Sequence, residues 1–445
     1  MQEINRRSFL SAVGAAPVAA RAAASDRIRV GFIGSGPRGR AHMSILSRFA
    51  DVDIPVICDA IEPRLAEAQK TLARGPNPRK PDAVVDYRRV LDRKDVDTVF
   101  IATTQHWHGL PFIHACQAGK SIYVEKPLGH TIAEGQAMLK AAQKCGITAV
   151  MGTQQRSGGH YHKAVETVRS GKLGKIGLVE CWNYADRLQR AGRFPDSDPP
   201  AGYHWDLWLG PAPKVPFNQA RLDHNWWWDY GGGVLNNWGP HHFDIVCWAM
   251  NADKPLAATG NGGKYVIDDL ADTPDVFEAS WEFPQFLLTF RSKSYSNFHH
   301  LQSRPRHYGI AFYGREATLV IDRFGYEIYS NTGKKPYQLY AFPLEPPIET
   351  MEGFQSAAPG SPHAMDAQDG TFQRLFLNCI KEGRKPEPDL GYSHRVTTLC
   401  HLANIAYHTR RRVRWDAAKE SIVGDAEAAR MLSRPRRKGF ELPQV

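Results

Sequence analysis

Val30-Gly31-Phe32-Ile33-Gly34-Ser35-Gly36-Pro37-Arg38-Gly39-Arg40-Ala41-His42 is the stretch that decides the fold of the N-terminal half. An apolar, β-prone run precedes three glycines in the G-x-G-x-x-G spacing, and a helix-compatible run follows. Gly34 permits a tight turn, Gly36 lets backbone approach a pyrophosphate, and Gly39 lets the helix pack closely on the sheet. A helix N-terminus would add N–H donors for the phosphates. We therefore predict a dinucleotide-binding turn formed by Gly34, Ser35, Gly36, Pro37, Arg38 and Gly39.

A carboxylate follows the next strand at the expected distance. The apolar run Ile54-Pro55-Val56-Ile57-Cys58 ends at Asp59, twenty residues after Gly39. An acidic residue at this spacing hydrogen-bonds a ribose hydroxyl in dinucleotide-binding folds. Asp59 is therefore predicted to bind the cofactor.

Residues 1–24 have the features of an export signal. Asn5-Arg6-Arg7-Ser8-Phe9-Leu10 is a twin-arginine motif, an Ala-rich apolar run follows it, and Ala22-Ala23-Ala24 resembles a small-residue cleavage site. The alternative is a disordered tail with an accidental arginine pair, but the order of the three features favours export. We expect a soluble, periplasmic mature protein that is exported folded and has no stable membrane insertion.

Length, charge and cysteine content limit the classes of protein to which this chain can belong. A chain of 445 residues predicts two domains. The net charge of +10 has its densest runs at 410–412 and 434–438, without the basic-aromatic face or known module of a nucleic-acid-binding protein. The seven cysteines include no C-x-x-C pair, so neither a zinc site nor a disulfide framework is indicated.

Alternating elements indicate a parallel, doubly wound sheet over residues 28–152. After Asp59 the predicted elements are a helix at 61–73, strands at 83–85 and 97–102, a helix at 109–118, a strand at 121–125, a helix at 131–145 and a strand at 148–151. In such sheets the ligand lies at the carboxyl ends of the strands. Among the residues that follow those strand ends, the predicted cofactor-binding residues are Thr103, Thr104, His108, Glu125, Lys126 and Gln154, and Arg156 is a further candidate.

Lys126 is the candidate with the clearest chemistry. A lysine facing a cofactor cleft can have its pKa lowered by partial burial and can exchange a proton with substrate. A solvated lysine in a turn is the commoner fate, but the position of Lys126 favours function. Pro127 restricts the backbone beside it.

A second domain is predicted over 153–415, followed by a C-terminal extension over 416–445. Its expected helices lie at 160–171, 366–382 and 393–410, and its expected strands at 176–182, 262–266, 276–282, 286–294, 308–313, 317–321 and 325–329. A long excursion at 186–233 is rich in tryptophan. Indole faces can bind sugars, although each single tryptophan is more often a core or subunit contact.

Gly231 to Asp244 form a second chemical centre, with Pro240 predicted in the first turn of a helix. His241 would have Asp244 on the same face one turn later, which suits a general acid/base whose tautomer its neighbour fixes. A structural histidine is the alternative. Asn237, His241, His242 and Arg156 are the predicted substrate-binding residues.

These motifs together resemble the Gfo/Idh/MocA oxidoreductases from about residue 28 to the end. The resemblance implies a Rossmann domain followed by an α/β domain, whose open, mainly antiparallel sheet covers the substrate and often forms the interface of a dimer or tetramer. It implies bound NAD(P) and hydride transfer with a sugar or polyol. By resemblance, Lys126 is the catalytic lysine, Glu125 binds ribose and Asp59 binds the adenosine ribose. Because a carboxylate disfavours a 2′-phosphate, NAD is expected rather than NADP.

The sequence departs from the family pattern G-G-G-x-L-x-D-x-G-x-H at one catalytic position. His241 matches the histidine, but Asn237 replaces the aspartate, and an amide binds a hydroxyl without accepting its proton. Lys126 and His241 remain as the catalytic pair. Thr104 stands where the family usually has Pro. Nearby histidines lack the companions of a zinc site, so no metal is predicted, and His108 is expected to line the nicotinamide or substrate pocket.

Three functions stay open at this point. The first is NAD-dependent oxidation or reduction of a sugar, polyol or glycoside with a retained cofactor. The second is a redox-neutral cycle of oxidation, elimination and re-reduction that cleaves a glycoside. The third is a non-catalytic NAD- or sugar-binding protein, which Asn237 favours and the pair Lys126 and His241 disfavours.

Overall fold

The computed structural model describes residues 27–184, 192–296, 307–331, 339–341 and 362–445, and the predicted leader lies outside them. In this part of the chain no helix is long and apolar enough to cross a membrane.

A parallel sheet of six strands in the order β3-β2-β1-β4-β5-β6 forms the N-terminal domain. Its strands are β1 (Ile28–Ile33), β2 (Val52–Cys58), β3 (Asp82–Val84), β4 (Thr98–Ile101), β5 (Ser121–Val124) and β6 (Ala149–Met151), and its helices are α1 (Pro37–Leu46), α2 (Glu62–Arg74), α3 (Arg88–Leu91), α4 (Gly109–Gln117) and α5 (Ile132–Cys145). The central strands are almost wholly buried because helices cover both faces. The predicted doubly wound fold is confirmed.

The second sheet is mainly antiparallel and has the order β14-β13-β12-β11-β7-β10-β9-β8-β15-β16 among the described residues. Its strands are β7 (Ile176–Tyr184), β8 (Ala257–Gly263), β9 (Val276–Glu282), β10 (Leu287–Lys293), β11 (Tyr308–Gly314), β12 (Ala317–Asp322), β13 (Gly325–Ser330), β14 (Leu339–Ala341), β15 (Val413–Asp416) and β16 (Ser421–Ile422). The helices that accompany it are α6 (Gly159–Arg169), α7 (Trp205–Leu209), α8 (Gly233–Met250), α9 (Pro362–Glu382), α10 (Leu390–Thr409) and α11 (Ala426–Arg430). One large core joins α6, α8 and α10 to the inner face of this sheet, so the predicted second domain is also confirmed in class.

Two predicted elements were misplaced. Strand β8 begins five residues before the predicted 262–266 and overlaps it only at 262–263, because pairing with β9 selects residues 257–263 despite their weak β propensity. Tyr265 and Val266 instead lie in an exposed turn, where their N–H groups donate to the Asp275 carboxylate. Helix α8 begins at Gly233, so Pro240 lies inside it rather than in its first turn.

The predicted boundary at 415 falls inside β15. Strands β15 and β16 extend the edge of the second sheet, since β15 pairs with β8. The residues after α11 then return to the N-terminal domain, where the Ala133 N–H donates to the Leu432 carbonyl at 2.9 Å. The C-terminal extension is therefore structurally part of both domains.

Candidate active site

The glycine turn borders a cleft of about 470 Å³ at the carboxyl ends of β1, β2 and β4. Gly34 has a φ of +101°, and a Cβ there would overlap the Ala102 carbonyl. Gly36 is the N-cap of α1 and has no side chain that could accept hydrogen bonds from the first N–H groups of the helix. These N–H groups are therefore available to a ligand. The predicted cofactor residues that line this cleft are Gly34, Gly36, Pro37, Arg38, Asp59, Thr103 and Thr104.

Two residues of the glycine turn, Ser35 and Gly39, contact the protein backbone and do not line the cofactor cleft. Ser35 is fully buried, and its hydroxyl donates to the Cys58 carbonyl at 3.1 Å. Gly39 packs beneath the turn, where a Cβ would overlap the Gly34 carbonyl oxygen. Gly39 thus packs closely as predicted, and both residues support the turn.

The Asp59 carboxylate is oriented by the protein. Its oxygens accept the Ser35 N–H at 2.8 Å and the Ile61 N–H at 3.0 Å. Burial raises the pKa of Asp59, while Arg64 and these two N–H groups oppose the increase. An oriented acceptor in the cleft wall suits a ribose hydroxyl.

A second pocket of about 290 Å³ opens beside the cofactor cleft and contains Lys126. The Lys126 Nζ donates to the Asn237 carbonyl at 2.6 Å and to its side-chain Oδ1 at 2.8 Å. Both cavities share the residues Arg38, Ala102, Thr103, His224 and Asn225. A ligand beside Lys126 would therefore touch the inner end of a cofactor in the larger cleft. The other predicted residues that line this pocket are Glu125, Gln154, Asn237 and His241.

His241 supplies a neutral imidazole to the Lys126 pocket. Burial, Lys126 and Arg323 together lower its pKa well below the usual range. Within the described residues its Nδ1 has no hydrogen-bond partner. The expected support from Asp244 is wrong, because Arg156 takes both carboxylate oxygens of Asp244 at 2.7 and 2.9 Å.

The same ion pair removes Arg156 from the predicted substrate set. Its guanidinium is buried against Asp244 and lies 4.9 Å from the centre of the Trp248 ring. It borders a separate cleft and does not line the Lys126 pocket. A buried carboxylate is costly without a cationic partner, which explains why Arg156 pairs with Asp244 instead of facing the solvated substrate pocket.

His242 and His108 are also held away from both cavities. The ring nitrogens of His242 lie 3.0 Å from the Trp238 and Trp182 carbonyl oxygens, and burial lowers its pKa to about 4. Successive helical residues diverge by about 100°, so His241 and His242 cannot both face the pocket. The His108 ring bridges the carbonyls of Pro127 and Thr103 at 2.7 and 3.3 Å, so it supports both loops.

Arg38 connects the glycine turn to the catalytic segment. Its Nε donates to Glu125 Oε1 at 2.7 Å, and its two terminal nitrogens bind the Asp369 carboxylate of α9 at 2.7 and 2.8 Å. Buried His42 also lies 2.8 Å from Glu125 Oε1. Burial would raise the pKa of Glu125, but Arg38 and His42 outweigh it and hold that pKa well below its usual range. Oε1 is thus engaged twice, and Oε2, which accepts the Lys126 N–H at 3.2 Å, is the oxygen that Glu125 can present to a ribose.

Gln154 extends this network toward the pocket. With its amide nitrogen donating to the Gly152 carbonyl at 3.0 Å, its oxygen accepts from Arg38 at 3.1 Å. Gln154 thus lines the pocket and braces Arg38 at the same time.

Besides Ala102, four residues of this pocket were not among the predicted site residues, namely Gln105, His224, Asn225 and Trp238. Gln105 follows β4, where the strand-end rule could have found it. His224 and Asn225 come from the tryptophan-rich excursion, and Asn225 accepts a hydrogen bond from Gln105 at 3.1 Å. Burial lowers the pKa of His224 to about 3, with Lys126 adding to the effect.

The tryptophans of the excursion are mostly core residues. The side chains of Trp205, Trp208, Trp226 and Trp227 are buried. Trp208 also lines the cofactor cleft, whereas the aromatic wall of the Lys126 pocket is Trp238. Across the described ranges no three His, Cys, Asp or Glu side chains are placed to bind a metal ion.

Comparison with known proteins agrees with this architecture. Residues 28–153 match the family described as "Oxidoreductase family, NAD-binding Rossmann fold", and residues 175–259 with 340–442 match "Oxidoreductase family, C-terminal alpha/beta domain". A solved levoglucosan dehydrogenase in complex with NADH and levoglucosan is 18% identical with a TM-score of 0.64, covering 87% of this chain and 99% of that one. At this identity the likeness shows the fold.

Curated relatives match a shorter part. A glycosyl hydrolase family 109 protein of Shewanella baltica is 29% identical over 207 residues, and an alpha-N-acetylgalactosaminidase of Shewanella oneidensis is 28% identical over 207 residues. Each match covers 40% of this chain and 45% of the relative, so the chain spans less than half the length of these relatives. Together the two family matches cover most of the residues that line the cofactor cleft and the Lys126 pocket. The chain therefore belongs to the Gfo/Idh/MocA family of NAD-binding oxidoreductases.

Proposed function

We propose that this chain is an exported oxidoreductase that retains NAD and oxidises or reduces a carbohydrate. The observation that carries the proposal is the placement of Lys126 and His241 in one pocket that joins the cofactor cleft. The proposal includes a homo-oligomer, either a dimer or a tetramer.

The residues present fit NAD. The uncapped N-terminus of α1 and the side-chain-free Gly36 would hold the pyrophosphate, and Asp59 would hold the adenosine ribose. Bound NAD would supply hydride acceptance and return. Thr103 and His224, which line both cavities, would border the nicotinamide end.

The pocket residues supply binding and proton transfer. Asn237 and Gln105 offer amides to hydroxyl groups, and Trp238 offers an aromatic face to sugar C–H groups. His241, which is neutral, can accept a proton from the reacting hydroxyl, with Lys126 as the second acid/base group. The pocket volume lies at the small end of the ligand-site range of about 300–1,000 Å³, which suits one sugar unit.

Redox-neutral glycoside cleavage is the second candidate, and the two Shewanella relatives favour it. In this cycle, oxidation of a sugar hydroxyl to a carbonyl acidifies the neighbouring C–H, a base removes that proton, and the substituent leaves as an enone forms. Water then adds to the carbon that lost the substituent, the neighbouring carbon is reprotonated, and the hydride returns to the carbonyl. Lys126 and His241 would serve both reactions. Net oxidoreduction stands first because the family description covers both domains.

The discriminating measurement uses purified mature protein with no added cofactor. We expect stoichiometric NAD in an acid extract, and an absorbance band of reduced nicotinamide that one sugar creates and a second sugar removes. Release of an aryl group from an aryl glycoside without net reduction would assign the cleavage cycle instead. Protein that neither carries nor binds NAD would refute the proposal, and light scattering on the same sample tests the oligomer.

Export by the twin-arginine route is a separate part of the proposal, resting on Arg6, Arg7 and the Ala22-Ala23-Ala24 site. We expect the periplasmic protein to begin at Ser25. Replacing Arg6 and Arg7 together by lysine should leave the protein in the cytoplasm, as measured by fractionation and N-terminal mass spectrometry. Unchanged export of that variant would contradict the route.

A further inference from the structure

The basic C-terminal run contacts two segments, the turn at 105–107 and α7, whose residues Trp107, Leu207 and Trp208 line the cofactor cleft. The guanidinium of Arg434 donates to the Glu134 carboxylate at 3.1 Å, to the His106 carbonyl at 3.0 Å and to the Asp229 carbonyl at 3.1 Å. His106 belongs to the turn after β4, whereas Asp229 belongs to the second domain. Arg434 therefore connects the two domains next to Trp107, which lines the cleft.

Arg437 contacts the second of these segments, α7. Its guanidinium donates to the Gly210 carbonyl at 2.6 Å, to the Asp206 carboxylate at 2.6 Å and to the Asp206 carbonyl at 2.8 Å. These groups belong to α7 and its end. Leu207 and Trp208 of α7 line the cofactor cleft, so Arg437 fixes a segment that would cover the cofactor.

The tail that carries these arginines is itself anchored on the N-terminal domain. Arg436 forms an ion pair with Glu134, whose side chain is only 1% exposed. The Phe440 ring packs edge-on against Trp107 with 5.6 Å between ring centres. Since Trp107 also lines the cofactor cleft, the tail touches that wall from outside.

The turn at 105–107 and α7, which form two walls of the cofactor cleft, pack tightly against each other. The Trp107 indole N–H donates to the Trp208 carbonyl at 2.9 Å, and Gly210 packs so closely on the indole that a Cβ would overlap it. A dinucleotide that enters or leaves past this edge has to separate the turn at 105–107 from α7. Arg434 binds the first of these segments and Arg437 binds the second.

We infer that Arg434 and Arg437 are positioning residues that hold the turn at 105–107 against α7 and so slow the release of NAD from the cofactor cleft. This inference rests on the proposed function, in which NAD stays bound through many turnovers. It gives the C-terminal basic run a role in cofactor retention.

The test measures the exchange of bound NAD against labelled NAD in the full mature protein. Arg437→Met should raise the rate of NAD release about tenfold, and the double variant with Arg434→Met should raise it further, because guanidinium–carbonyl contacts are lost on both walls. Arg437→Lys should restore part of the retention. Lys438→Met, an exposed control of equal charge in the same tail, should exchange at the wild-type rate.

Two further readouts separate positioning from a general loss of structure. With saturating NAD, kcat should stay within about twofold, and the thermal midpoint of nucleotide-free Arg437→Met should match that of Lys438→Met. Asp206→Asn weakens the same contact from its exposed partner and should also speed release. Wild-type exchange rates in Arg437→Met, Asp206→Asn and the double variant would overturn the inference while leaving the function intact, whereas a wild-type protein without NAD would refute the function itself.

Discussion

Replacement of Lys126 by alanine is expected to lower kcat about 10³-fold while NAD stays bound. Lys126 donates two hydrogen bonds to Asn237 in the small pocket, and it does not line the cleft that would hold the dinucleotide. Its removal therefore deletes an acid/base group and leaves the glycine turn intact. Single-turnover reduction of bound NAD by sugar and the nucleotide content of an acid extract measure the two effects separately.

Two control variants sharpen this result. Lys126→Arg keeps the charge but cannot lose its proton in the working pH range, so it should be nearly as inactive as Lys126→Ala. Lys254→Ala changes an exposed lysine after α8 and should behave as the wild type. Full activity of Lys126→Ala would remove Lys126 from the mechanism, and retained sugar binding without turnover in the wild type would favour the non-catalytic function.

Replacement of Arg38 by methionine is expected to lower the free energy of unfolding by about 3 kcal/mol, near the low end for a broken buried ion pair. The variant leaves the Glu125 and Asp369 carboxylates, each with a 6% exposed side chain, without their guanidinium. The low end applies because the Arg38 side chain is itself 33% exposed, so solvent screens part of the interaction. Urea unfolding measures the change, and Arg74→Met on the exposed end of α2 is the control.

The sign of the pH dependence follows from the depressed pKa of Glu125. A carboxyl whose pKa is lower in the folded state stabilises the fold above its unfolded pKa, about 4.3, and loses that contribution as the pH falls through the folded value. The stability gap between wild type and Arg38→Met should therefore be widest near neutral pH and shrink in acid. A gap that is absent at neutral pH would show that Arg38 does not join α1 to α9 energetically.

Much of the fold and part of the site could be predicted because the signals are local. The glycine turn at Gly34 and Gly36, the carboxylate Asp59 and Lys126 each sit directly after a buried strand, and parallel strands bring their carboxyl ends to one edge. Helical periodicity likewise placed His241 on a helix, although Pro240 was given the wrong position in it. Short-range pattern and strand order were sufficient for these residues.

The roles of the other polar side chains near the site depend on contacts between residues far apart in the chain. Asp244 was expected beside His241, but Arg156, 88 positions away, pairs with it because a buried carboxylate needs a cation. Arg38 was predicted only as part of the dinucleotide-binding turn, yet its guanidinium also binds Asp369 across 331 positions.

The sequence by itself therefore determined the two domains, the dinucleotide turn and the pair Lys126 and His241. Only the tertiary structure decided which polar groups face the pocket, since helix rotation separates His241 from His242 and long-range pairing withdraws Arg156. It likewise decided that Arg434 and Arg437 bind the backbone next to Trp107 and Trp208, which line the cofactor cleft. Local patterns encode backbone geometry, whereas the partner of a buried charge depends on which distant segment folds against it.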